Sequence, residues 1–144
     1  MTLPTEQKNN PRWILRFNNY LKAVENLTEA LESLKTAPDS LLIRDAIVKR
    51  YEICYELAWK LLKDFLEDQG ERDIFGAKSA FRLAQNRGLI SNGEVWMQMI
   101  EDRNVTIHTY ANNLSQYMSE RILELYLEPL QQLKTRFIKI SENP

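Results

Sequence analysis

Apolar side chains recur in steps of three and four along most of this 144-residue chain, which is the periodicity of amphipathic helices. Trp13, Phe17, Tyr20, Val24, Leu27, Leu31 and Leu34 fall on one stripe and predict a long first helix. It ends at Thr36-Ala37-Pro38-Asp39-Ser40, a turn with two candidate N-caps for the next helix. That helix is predicted over about Leu41–Asp68 on the stripe Ile43, Ile47, Tyr51, Cys54, Ala58, Leu61 and Phe65, with Gly70 just past its end. Phe75, Ala77, Phe81 and Ala84 predict a short third helix stopped by Gly88. Ser91-Asn92-Gly93-Glu94 reads as a capping box, Ser91 being the N-cap of a helix carrying Trp96 and Ile100. Asn112-Asn113 breaks the chain again. A last helix carries Met118, Ile122, Tyr126, Leu130, Leu133 and Phe137, and Pro129 inside it is expected to kink it. Three long and two shorter helices on short turns predict an all-α fold, an up-and-down bundle of four to five helices.

Composition adds bounds to this picture. With 44% apolar and 27% charged residues the chain has the profile of a soluble globular domain. One domain is expected over 12–140, after a loose polar tail at 1–11. A net charge of −1 excludes a broadly basic surface, so any nucleic-acid contact must come from a local cluster of cations. The lone Cys54 permits no intrachain disulfide and fits a reducing compartment. No apolar run approaches the roughly 20 residues of a membrane span. The opening MTLPTEQKNNP lacks the apolar core of a signal peptide. A cytoplasmic location without membrane contact is expected.

Several chemistries drop out on residue types alone. Gly70, Gly76, Gly88 and Gly93 are scattered, so no glycine-rich loop cradles a phosphate. One Cys and one His cannot make a structural zinc site within one chain. The absence of a Gly-Ser pair and of Asp-x-Asp excludes an ordinary nucleotidyltransferase. Glu101-Asp102 would need help from elsewhere to hold magnesium, and such pairs are usually solvated. No cofactor and no metal is expected.

The stretch Arg103-Asn104-Val105-Thr106-Ile107-His108-Thr109-Tyr110 holds the only histidine. Asn104 and His108 share a helix face, whereas Arg103 and His108 lie roughly 140° apart in projection. They converge only if Arg103 reaches round or the β-branched run Val105-Thr106-Ile107 distorts the helix. A convergent set has a chemical logic. Arg103 matches phosphate in a bidentate fork, His108 exchanges a proton near neutrality, and Asn104 orients the imidazole or a phosphate oxygen. That kit suits metal-free RNA cleavage by attack of a 2′-hydroxyl on the adjacent phosphate. With one histidine per chain, a two-histidine scheme requires two copies around a two-fold axis, hence a homodimer. Spacing alone favours the ordinary alternative, a hydrogen-bonded structural histidine near a helix end.

Two further patterns have ordinary readings too. Glu52, Glu56 and Lys60 repeat every four residues, as in a solvated ion-pair stripe; the functional alternative is a partner-binding rim anchored by Tyr55 and Trp59. Lys78, Arg82 and Arg87 make a modest basic face on the short helix, usually no more than solvated.

KRYEICYELAWKLLKDFLEDQG, AFRLAQNRGLISNGEVWMQMIEDRNVTIHTY and the final helix together resemble the nucleotidyltransferase substrate-binding proteins, the HepT-like branch of the HEPN superfamily. The resemblance runs from about Phe17 to Leu133. Its most specific piece is Arg-Asn-x₃-His-x-Tyr, here Arg103, Asn104, His108 and Tyr110. It implies a helical bundle that dimerises with the motifs in a shared cleft, and a small nucleotidyltransferase encoded by an adjacent gene as partner. It implies further a metal-independent ribonuclease toxin, with Arg103 and His108 catalytic and Asn104 supporting them. Tyr110 would be the residue to which the partner, as antitoxin, transfers AMP. The alternative within the same family is a non-catalytic subunit that binds a nucleotide or substrate in the cleft for the nucleotidyltransferase.

Overall fold

The computed structural model describes residues 10–108 and 113–143, and their side chains except those of 107 and 108. The elements are α1 (Arg12–Thr36), α2 (Leu41–Asp68), α3 (Ala77–Asn86), α4 (Gly93–His108), α5 (Leu114–Arg121), a π-helical stretch (Ile122–Tyr126) and α6 (Leu127–Glu142). No strand occurs among the described residues.

The ends of these helices follow from local chemistry. Ser40 is the N-cap of α2, its hydroxyl accepting the Ile43 N–H at 3.1 Å. At the far end Gly70, at φ +96°, lets the Glu71 N–H reach the Leu66 carbonyl at 2.9 Å, and its own N–H reaches Glu67 at 3.0 Å. That is the Schellman closure expected where a glycine follows a helix. Gly88, at φ +76°, ends α3 in the same way. α4 starts one residue later than the Ser91 cap predicts, with the Asn92 carbonyl accepting the Trp96 N–H. The proline acts upstream of its own position. Pro129 is the third residue of α6, where its missing N–H costs little, and its clash with the carbonyl four residues back is relieved by the wider π turn. The Leu127 N–H accordingly bonds back to Ile122.

All seven stripe residues of α1 are buried, as are the six of the final helical region. α2 buries a wider arc than its stripe, adding Tyr55, Leu62 and Leu66. It is the central helix, packed against α1, α3, α4, α5 and α6. One end of the core is aromatic, with Phe137 against Trp13, Phe17 and Phe65 at centroid distances of 5.8, 5.8 and 5.1 Å. Phe81 of α3 meets Trp96 of α4 at 4.8 Å. Buried tyrosine hydroxyls tie helices together. Tyr20 donates to the Leu130 carbonyl at 2.7 Å and Tyr51 to the Met99 carbonyl at 3.0 Å. Phe75 departs from the expected core: it lies in the loop before α3 and is 87% exposed.

Phe137→Ala removes three ring contacts at once and is expected to destabilise the fold by about 3–5 kcal/mol. Urea unfolding checks this, with the midpoint falling and the slope unchanged.

Candidate functional site

Arg103–His108 of the motif lie in the last two turns of α4, and two consecutive residues there, Asp102 and Arg103, are clamped from different sides. On a helix, positions 102 and 103 are turned about 100° from each other. The Asp102 carboxylate accepts a bond from Arg121 Nε at 2.8 Å and another from the Tyr126 hydroxyl. Arg121 Nη2 donates in turn to that hydroxyl at 3.2 Å. Tyr126 stacks on Tyr51 at 5.4 Å between centroids, so the triad is seated on the core. The π-helical stretch ends at Tyr126, and the extra residue it accommodates sets where that ring arrives. Burial, and next the bond to Asp102, push the Tyr126 phenol well above its ordinary pKa, which keeps it a donor. Asp102 is therefore no solvated carboxylate, in contrast to the expectation for an acidic pair.

Arg103 faces α2. Its Nη2 lies 2.6 Å from Glu56 Oε1, and its guanidinium stands over the Tyr55 ring at 5.5 Å. The other Glu56 oxygen accepts the Trp59 indole N–H at 3.1 Å and has Lys60 Nζ at 3.8 Å. Arg103 Nε is buried and has no hydrogen-bond partner among the described residues. The side chains of Arg103 and Glu56 keep 29% and 30% of their surface, so the pair stabilises the fold by only about 1 kcal/mol. Its main consequence is direction. A guanidinium carries five donors, so the one held by Glu56 leaves others for a phosphate.

The β-branched run does not break the helix. α4 continues unbroken to His108, and the Thr106 hydroxyl turns back to the Arg103 carbonyl at 2.8 Å, a bond that lets threonine sit inside a helix. The helical distortion that would bring Arg103 towards His108 is therefore not present in α4 up to His108. Asn104 is exposed and shares a helix face with position 108, the two lying about 100° and 140° round from Arg103. Tyr110 lies outside the described residues. Among those residues no three His, Cys, Asp or Glu side chains gather as a metal site.

Sequence reasoning missed Tyr55, Glu56, Arg121 and Tyr126 as parts of the site. The Glu56–Lys60 pair it read on α2 exists, but Glu56 also reaches across to Arg103. Tyr55, offered as a surface anchor, is 3% exposed and forms the floor under the guanidinium. The wide apolar arc of α2 was the available signal, since it puts Glu56 at the rim of the core.

Burial pushes the Tyr55 phenol up from 10.0 to about 12, with the Arg103 charge opposing and that of Glu56 adding. The unfolded chain therefore releases this proton first, and stability is expected to fall as pH rises from about 10 to about 12. Urea midpoints across that range check this, and Tyr55→Phe should shallow the decline.

Residues 15–139 match the family model described as nucleotidyltransferase substrate binding protein like. A Haemophilus influenzae protein named probable ribonuclease HepT is 28% identical over 62% of this chain. That match spans 66% of the relative's own length, just short of two thirds. A crystal structure of a Thermus thermophilus protein superposes with a TM-score of 0.61 at 28% identity, covering 76% of this chain and 97% of that one. The tri-AMPylated Shewanella oneidensis HEPN toxin, solved in complex with MNT antitoxin, superposes at 0.73 with 14% identity, covering 90% and 98%. At that identity the likeness is one of fold. The family match over nearly the whole chain identifies it as a member of the nucleotidyltransferase substrate-binding-protein-like family.

Proposed function

We propose that this protein is a metal-independent endoribonuclease toxin that works as a homodimer and is silenced by a small nucleotidyltransferase encoded beside it. The observation that carries the reading is the clamp on Arg103. A permanent cation is fixed by Glu56 and Tyr55 at the edge of the helix whose next face bears Asn104 and His108. The ribonuclease name of the Haemophilus relative and the toxin–antitoxin complex of the Shewanella one support it.

In this mechanism two copies of α4 face one cleft. One His108 takes the proton of an RNA 2′-hydroxyl as that oxygen attacks the adjacent phosphorus. The second His108, protonated, gives its proton to the departing 5′-oxygen. Arg103 stabilises the negative charge that builds on the phosphoryl oxygens, and Asn104 orients the imidazole or an oxygen of the phosphate. Transfer of AMP to Tyr110 brings bulk and negative charge to a cleft that must receive phosphate, which blocks it.

The experiment is cleavage of end-labelled RNA in EDTA by the purified protein and by His108→Ala. Wild type is expected to cut and the variant to lose at least a hundredfold, the scale of general acid–base catalysis. Equal cutting by His108→Ala would overturn the assignment. If neither cuts while intact mass shows Tyr110 unmodified, the chain is the substrate-binding subunit of a two-component nucleotidyltransferase.

A further inference from the structure

The loop joining α2 to α3 leaves one aromatic ring out of the core on a well-held backbone. Phe75 is 87% exposed, although Ile74 beside it is buried. The Ser79 hydroxyl accepts the N–H of Phe75 at 3.0 Å and that of Gly76 at 3.2 Å, tying the loop to the start of α3. The ring borders a groove of about 670 Å³ lined also by Leu83, Ile100, Arg72, Lys78 and Arg82. The three cations are exposed, and among the described residues none is in an ion pair. A single carboxylate, that of Asp73, lines the groove against them. The basic face expected on α3 is thus rearranged: Arg87 is taken by Glu71, and Arg72 replaces it beside Lys78 and Arg82.

The groove points at the motif. Ile100 belongs to it, and Met97 lines the adjoining hollow together with Arg82. Met97, Ile100, Asn104 and His108 fall within about 80° on α4 at 3.6 residues per turn. The α4 side of the groove therefore continues into the Asn104–His108 face, about 12 Å from Ile100 to His108 along the axis.

We propose that this groove between α3 and α4 is a subsite for single-stranded RNA, in which Phe75 stacks on a base and Arg72, Lys78 and Arg82 hold the flanking phosphates. The inference rests on the nuclease reading above and extends it to how the strand is held. An exposed ring among cations is the pairing that binds single strands without reading sequence. An apolar partner helix laid in the same groove would instead bury three cations against the single carboxylate of Asp73, which is costly.

The test measures cleavage of a single-stranded RNA octamer in EDTA, and binding of its all-deoxy counterpart, which lacks the attacking hydroxyl. The proteins are wild type, Phe75→Ala, Phe75→Trp and the double variant Lys78→Ala with Arg82→Ala. Phe75→Ala is expected to raise KM about tenfold with a far smaller change in kcat, and Phe75→Trp to restore it. The double variant should reduce the slope of log affinity against log salt by about 1.4. Wild-type KM and affinity in all variants, with wild type cutting, would overturn the subsite and leave the nuclease reading standing. So would a Phe75→Ala protein that loses dimerisation or nucleotidyltransferase binding but not RNA affinity, since the groove would then be a protein interface. No cutting by wild type whose intact mass shows Tyr110 unmodified would remove the nuclease reading itself.

Discussion

The site depends on how α4 is turned about its own axis. Asp102 and Arg103 are neighbours in sequence, and each is held by an opposite charge on a different element. Arg121 and Tyr126 hold Asp102 from the α5–π region, and Glu56 holds Arg103 from α2. Neither contact contributes much energy alone, because their side chains keep part of their surface in water. Together they exclude rotation, since any turn that shortens one pair lengthens the other. Asn104 and His108 then have a fixed heading, set by helix geometry from the clamped pair.

This arrangement also explains why the π-helical stretch is where it is. Pro129 cannot be accommodated by a regular helix without a clash at the carbonyl four residues back. Widening the turn at Ile122–Tyr126 removes that clash and delivers the Tyr126 hydroxyl to Asp102. Tyr126 stacked on Tyr51, and Tyr51 bonded to the Met99 carbonyl, carry the constraint from the π-helical stretch through α2 into α4. The polar clamp is thus continuous with the aromatic core.

The bundle was legible in the sequence because its signal is local and repeated: every stripe residue of α1 and of the final helices is buried, and on α2 Ile47, Tyr51, Cys54, Ala58 and Leu61 are. The Schellman glycines and the Ser40 cap were legible for the same reason. The site was legible only along one helix. Asn104 and His108 share a face by spacing, but Glu56 and Arg121 stand 47 and 18 residues from Arg103 in the chain, and no periodicity links them. Glu56 looked solvated because its i,i+4 lysine is real, and its second partner is a tertiary contact. Phe75 misled in the other direction. The sequence reading groups it with the α3 stripe, yet two residues before Ala77 it falls about 160° away on a helix, and it precedes Gly76, where the helix has not begun.

The rotational clamp is tested most directly by Glu56→Gln, which keeps the size of the side chain and removes its charge. If Glu56 orients Arg103, kcat for RNA cleavage in EDTA falls at least tenfold, while KM and the urea midpoint stay close to wild type. A Glu56→Gln protein that cuts RNA with wild-type kcat would contradict the account.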